Sequence, residues 1–425
     1  MKRNLVSILA IISVLLWLIG CGGGGGGSES SSTPPTPPTP PTPSISALSS
    51  LDFGVAVVGG SSSRQLLISN VGAGTLNISN LSLAKGTEFT IRNQFCINQS
   101  IASQENCSIA LDLKPNTQTD FSDTLTITSN DTAKNPLTVA LTGMGRNYNV
   151  KINEVKKDGC GANLKLLVSV TNNLGVPVTA LSTNNFKVFE NGNPKPINSI
   201  TYPITSPISV ELVLDFSGSL AVSDQLAIQD AAIAFVDTLT PNQDEAGLIK
   251  FKLNIDVNTG FTTDLTAIKT AIGDPYPAGR PEGTILYDSL IQAINDTAGR
   301  VAASRRGAVI VFSDGNDEES VSTLENVIDL AVLKGVPIFT IAYTNASKPK
   351  PEVMQELAQR TGGEYFLAPD STQLNTIYGN ISNILSQQYL IEYNTLSSGG
   401  TTVSLDIEVN DNNNLGEDSK EATGC

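Results

Sequence analysis

The chain has 425 residues, 40% of them apolar and 16% charged, with 26 basic against 41 acidic side chains and a formal charge of −15. That length holds two or three domains with packed cores, and an acidic balance without a basic patch argues against a nucleic-acid partner. Histidine is absent, which removes the usual general base and zinc ligand and excludes Ser-His-Asp and Cys-His hydrolases.

Lys2 and Arg3 precede an apolar run from Leu5 to Ile19, which ends in "LIGC" at 18–21. A charged start and about 15 apolar residues describe a secretory signal better than a spanning helix of roughly 20. "LIGC" resembles the bacterial lipobox. The resemblance implies a signal peptide at 1–20, cleavage before Cys21, and lipid on that cysteine. Residues 21–44 then form a tether: glycine and serine give a flexible coil, and the Thr-Pro-Pro repeats favour extended polyproline II. Gly22 is not the aspartate that retains some lipoproteins at the inner membrane, which favours the outer membrane or cell surface as the place in the envelope. Export puts the remaining cysteines in an oxidising compartment, and four cysteines allow three pairings. Cys96 and Cys107, close together in one strand-rich stretch, are expected to bond, leaving Cys160 for Cys425.

Residues 45–146 show short alternating runs broken by Gly, Asn and Asp, such as "CSIALDLKP" and "DTLTITSND". The spacing predicts an antiparallel β-sandwich. The framework "LDFG…ISNVGAGTLNISNLSL…C…CSIALDLKP…LTITSND…VALTGMG" resembles the immunoglobulin-like modules of the ASPM/SPD-2/Hydin group, which implies a spacer or binding platform.

Residues 147–207 are also strand-rich, with Asn191-Gly192 between alternating runs as a strong hairpin signal. That character returns at 388–425, in "QYLIEYNTL" and "TTVSLDIEV". Between these flanks, 208–387 alternates buried strands with amphipathic helices. "ISVELVLDF" reads as a strand covered on both faces, and "SDQLAIQDAAIAFVDTL" as a helix capped by Ser223. The series predicts a doubly wound α/β (Rossmann-like) sheet, with ligands bound beyond the carboxyl ends of its strands.

Polar clusters fall where that rule points. Asp215, Ser217 and Ser219 leave the first long strand, Thr284 stands at a helix start, and Asp314 ends "VIVFSD". Two carboxylates and three hydroxyls, without nitrogen or sulfur, suit a hard divalent cation: Mg²⁺ first, with Mn²⁺ or Ca²⁺ as substitutes. The pattern resembles the metal-ion-dependent adhesion site of the von Willebrand factor type A family. It implies that the hydroxyls touch the metal, that the aspartates act largely through water, and that a partner's acidic side chain takes the open position. A stretch similar to "VPVTALSTNNFKVFENGNPKPI" precedes this domain in other bacterial members, so the domain is expected to be inserted in a second β-rich module whose ends Cys160–Cys425 would clasp. Asp317, Glu318 and Glu319 read as a solvated acidic loop, Asp288 as a brace for a helix start, and Arg305 and Arg306 as surface charge. Ser217 as a nucleophile fails for want of a base.

These readings converge on a membrane-anchored, non-enzymatic lipoprotein of the cell envelope. It would bind a protein or other macromolecule that presents a carboxylate to the metal. The alternative is an envelope assembly factor in which the metal only stabilises the fold.

Overall fold

Strands with apolar residues at alternate positions pair into two-layer sandwiches, and strands apolar throughout pair into a sheet that helices cover on both faces. Both kinds occur in the computed structural model, which describes residues 40–157, 163–277, 279, 282–302, 305–346, 349–394 and 402–423. The chain separates into Met1–Pro40 and Pro41–Cys425; everything that follows concerns the second unit. Cys21, Cys160 and Cys425 lie outside the described residues, so the lipid site and the Cys160–Cys425 bond lie outside them too.

The first sandwich joins a four-stranded sheet (Ile45–Ser46, Ser62–Asn70, Asn106–Leu113, Phe89–Ile91) to a five-stranded one (Ser50–Val57, Leu137–Arg146, Asp120–Ser129, Leu76–Leu83, Ser100–Ile101). It departs from the antiparallel expectation at one edge, where Ser50–Val57 runs parallel to Leu137–Arg146. Its core includes Phe53, Leu66, Ile109 and Leu141. Cys96 and Cys107 are disulfide-bonded beside that core, with Cα atoms 5.8 Å apart.

In the second β module, early and late strands interleave. Asn163–Asn172 pairs with Tyr389–Asn394, and Phe186–Glu190 pairs with Thr402–Asp411. The hairpin at Asn191-Gly192 forms, with both residues at positive φ and Glu190 opposite Asn193. One core, containing Val168, Phe186, Tyr389 and Leu405, unites residues that lie more than two hundred positions apart.

The α/β domain occupies the interval. Its six-stranded sheet runs Ile255–Thr262, Glu245–Phe251, Ile208–Asp215, Arg306–Ser313, Ile338–Tyr343, Tyr365–Ala368. Only the first of these, an edge strand, is antiparallel to its neighbour. Six helices cover the sheet: α1 (Val222–Val236), α2 (Leu265–Gly273), α3 (Leu286–Ala302), α4 (Leu324–Lys334), α5 (Pro351–Thr361) and α6 (Leu374–Ser386). Helices α1, α2 and α6 bury Ile228, Phe235, Ile268 and Ile381 against one face; α3, α4 and α5 bury Leu290, Ile294, Val327 and Leu357 against the other. Ser223 does not cap helix α1: the helix starts at Val222, with Ala221 at the cap position and no side-chain cap. The tight turn from Ser217 O to Leu220 N–H buries Leu220 and begins the helix early.

The first sandwich is more than a spacer, because it docks on α5. Ser63 N–H donates to Gln355 Oε1 (3.1 Å), Arg64 to Gln359 Oε1 (2.6 Å), and Gln65 to Glu352 Oε1 (2.9 Å).

Candidate metal centre

The site forms where strands Ile208–Asp215 and Arg306–Ser313 end side by side at the sheet's centre. Adjacent parallel strands that both stop there release their next residues into one crevice. Asp215, Ser217, Thr284 and Asp314 are all buried at 4% exposure or less, with Ser219 half-buried.

Each carboxylate is aimed by the loop it begins. Asp215 Oδ1 accepts the Ser217 N–H at 2.8 Å, which folds the loop back and brings the Ser217 and Ser219 hydroxyls within 3.1 Å of each other. Asp215 Oδ2 accepts the hydroxyl of Ser313 at 2.7 Å, and Ser313 Oγ accepts the Gly315 N–H at 3.0 Å. Ser313 therefore ties the two strand ends together. Sequence reasoning passed over it, although a hydroxyl directly before Asp314 was the available signal.

Asp314 Oδ1 accepts the Asn316 N–H at 2.9 Å, whereas Oδ2 is buried without a hydrogen-bond partner. A buried, unpaired carboxylate oxygen is costly, and a bound cation is one thing that would relieve it. Burial pushes Asp215 up to about 6, and the charge of Asp314 adds to the shift against the hydrogen bonds from Ser217 and Ser313. A buried carboxylate whose ionisation is made costlier by a second carboxylate, beside hydroxyl oxygens, fits a hard divalent ion. Among the described residues no group of three or more His, Cys, Asp or Glu stands ready for a metal. The donor set here is two carboxylates with hydroxyls, which suits Mg²⁺ better than zinc.

Thr284 lies buried in the loop before α3, and its carbonyl accepts the N–H groups of Glu318 and Glu319, a few residues past Asp314, at 3.0 and 3.2 Å. The acidic loop is thus pinned to the site, and its members differ in role. Asp317, expected to be solvated, accepts from the Tyr287 N–H in the first turn of α3 and from the Ser320 hydroxyl. Asp288 braces the loop more than the helix, accepting the N–H groups of Val321 and Ser322 at 2.9 Å each. Glu318 and Glu319 are exposed. Arg305 and Arg306 are not surface charge. Arg306 is buried at the opposite end of the sheet, where it donates to the carbonyls of Ser206 and Leu385, and Arg305 donates to those of Ile208 and Gln243.

The crevice is held from a third side by α5. Lys350, directly before that helix, donates its N–H to the Asp314 carbonyl at 2.7 Å. Gly315, at φ +82°, lies so close that a Cβ would stand 2.4 Å from the Lys350 carbonyl oxygen.

Comparison with known proteins agrees with this architecture. The family model of the von Willebrand factor type A domain matches residues 210–380, and that of the HYDIN/CFA65/VesB-like Ig-like domain matches 43–144. The chain is similar to a UPF0353 protein of Mycobacterium ulcerans, 27% identical over 267 residues that cover 55% of this chain and 76% of the relative. Among solved structures it resembles a conserved hypothetical protein, BatB, from Bacteroides thetaiotaomicron, at 19% identity and TM-score 0.36 over 42% of this chain and 98% of the other. It also resembles a von Willebrand factor type A protein from Catenulispora acidiphila, at 13% identity and TM-score 0.37 over 65% and 72% of the two chains.

Proposed function

We propose, for a chain whose α/β domain is a von Willebrand factor type A domain joined to an Ig-like domain, that it is a lipid-anchored envelope protein which binds a macromolecular partner through a divalent cation. Asp215, Ser217, Ser219, Thr284 and Asp314 would hold the ion, Mg²⁺ by preference. When bound, the ion supplies a Lewis-acidic position that a carboxylate of the partner fills. The observation that carries this reading is the unpaired buried Oδ2 of Asp314 beside the buried Asp215. Asp314 Oδ2 is one of eight buried side-chain atoms without a hydrogen-bond partner among the described residues, and the one of them that belongs to the predicted ligand set.

The lipobox-like "LIGC" and the Thr-Pro-Pro tether support placement on a membrane, with the outer membrane or cell surface as the favoured site. Among the described residues no helix is long and apolar enough to cross a membrane, so attachment in this reading rests on lipid at Cys21. The absence of histidine argues for binding rather than turnover.

The test is capture of envelope proteins on the immobilised chain in Mg²⁺, followed by elution with chelator and a parallel capture on Asp215→Ala. A carboxylate-dependent partner should be released by chelator and lost in the variant. Binding that persists unchanged in chelator overturns the proposal. Chelator that lowers only the melting temperature, releasing nothing, favours a purely structural metal.

A further inference from the structure

A third carboxylate stands against the loop that carries Ser217 and Ser219. Gly218 separates Ser217 from Ser219, and a Cβ on it would lie 2.8 Å from Oε2 of Glu282. The glycine therefore admits the Glu282 carboxylate onto the loop that carries two of the site's hydroxyls. The Glu282 side chain is 64% exposed, but its carboxylate is held by a neighbour. Its Oε1 accepts from Lys252 Nζ at 2.9 Å, and that lysine is itself largely buried, with its ammonium 5.4 Å from the centre of the Tyr276 ring. Tyr276 stacks on Phe216, the residue after Asp215, with centroids 5.1 Å apart. Phe216, Tyr276, Lys252, Glu282 and Gly218 thus close a ring around the site loop.

The backbone enforces the same placement. The Ile285 N–H donates to the Lys252 carbonyl at 3.0 Å, tying the 282–285 segment to the end of strand Glu245–Phe251. Gly283, at φ +146°, takes a conformation that side chains resist, and a Cβ there would meet Leu253 at 2.8 Å. That turn fixes Glu282 and Thr284 on either side of the glycine, with Glu282 against Gly218. Glu282 also lines a cleft of about 310 Å³ with Phe216, Lys252 and Tyr276, which leaves its side chain room to move.

We propose that Glu282 is the chain's own ligand for the cation, occupying the position offered to a partner's carboxylate. The inference rests on the metal reading above. With the ion bound, Glu282 closes the coordination shell. A partner's carboxylate takes its place when Glu282 turns fully to Lys252, which receives the displaced charge. The partner must therefore outcompete an internal carboxylate, and the site is selective against weak or isolated acidic groups.

The experiment uses Mn²⁺ as the probe on the full chain, with affinity from calorimetry and the number of metal-bound waters from water-proton relaxation. Glu282→Gln should lower Mn²⁺ affinity by roughly tenfold and add one exchangeable water. Lys252→Met, which releases the carboxylate to the metal, should raise affinity by roughly threefold. Both variants are checked for an unchanged melting temperature without metal. If the wild-type chain binds Mn²⁺ but Glu282→Gln matches it in affinity, or loses affinity without gaining a water, Glu282 is not a ligand and the inference fails alone. If the wild-type chain takes up no Mn²⁺, the metal reading fails and takes the inference with it.

Discussion

The two ends of the α/β sheet are both buried and polar, yet they are finished in opposite ways. At the base, donors and acceptors from separate domains meet. Lys420 Nζ donates to the carbonyls of Ile152, Asn153 and Thr361 at 3.1–3.2 Å. Asn153 donates to the Gly362 carbonyl at 2.7 Å and accepts from Gln388 at 2.9 Å, while Arg306 reaches both Leu385 and Gln388. At the opposite end, Asp314 keeps an oxygen without a partner and Asp215 is driven up by burial. A shortage of donors does not by itself mark a ligand site, because Glu154 Oε2 at the base also lacks a hydrogen-bond partner. That oxygen faces Lys156 at 3.3 Å, whereas among the described residues no ion pair reaches Asp314. The base uses its polarity to hold two domains together, and the crevice carries the residues proposed to hold a cation.

The largest effect should come from breaking the base. Lys420→Met leaves three carbonyls facing an apolar side chain, a loss of about 3 kcal/mol or more in chemical denaturation. Divalent-ion affinity of the folded fraction should be unchanged. An equal loss of affinity would mean that the ends are not independent.

Asp215→Ala should do the reverse. Divalent-ion affinity is expected to fall by roughly two orders of magnitude, about 2.7 kcal/mol, read by calorimetry. Stability without metal should hold or rise, because a buried carboxylate held up near 6 is removed. A variant that melted well below the wild type without metal would show Asp215 to be a structural brace through Ser313 instead.

The third effect separates the ends by pH. Burial raises Glu154 to about 7, against the pull of Lys156 at 3.3 Å, and lowers Lys420 to about 8. A carboxyl whose folded value lies above its unfolded 4.5 contributes stability that is full below 4.5 and lost as pH rises through 7. A lysine held below 10.5 contributes stability above 10.5 that is lost as pH falls through 8. Both penalties are complete between pH 7 and 8. Glu154→Gln should flatten the loss from pH 4.5 to 7.5 by on the order of 2 kcal/mol, measured as denaturation midpoints across that range. An unchanged slope would show that Lys156 already compensates the charge.

Much of this contrast could be read before any coordinates. "VELVLDF" and "GAVIVFSD" announced themselves because a strand buried on both faces has no room for alternation. Their terminal aspartates then stood out against the apolar run. The edge strand Ile255–Thr262 was not foreseen, because "IDVNTGFT" is half-exposed and largely polar. Helix α2, at nine residues, is too short for a clear period. Arg306 read as surface charge and Lys420 drew no reading, because their acceptors come from residues 152, 153, 206, 361 and 385, which only the fold brings near. Glu282 failed the same way, since nothing in "PEGT" says that Gly218 lies against it.

The smallest effect would test whether the contrast survives the first sandwich. Gln359→Ala removes one acceptor from Arg64, which still donates to the carbonyls of Asp52, Ser63 and Phe53. A loss of only about 0.5–1.5 kcal/mol is expected. Helix α5 nevertheless meets the first sandwich, the crevice and the second β module. Its start holds the Asp314 carbonyl through Lys350, its Gln355, Gln359 and Glu352 meet Ser63, Arg64 and Gln65, and Gly362 at its end packs on Ile152 and Lys420. If the helix is a rigid strut, Gln359→Ala leaves divalent-ion affinity where it was. A fall in affinity larger than the fall in stability would mean that the sandwich's grip on α5 reaches Asp314, and that the open end of the sheet is set partly by a domain that never touches it.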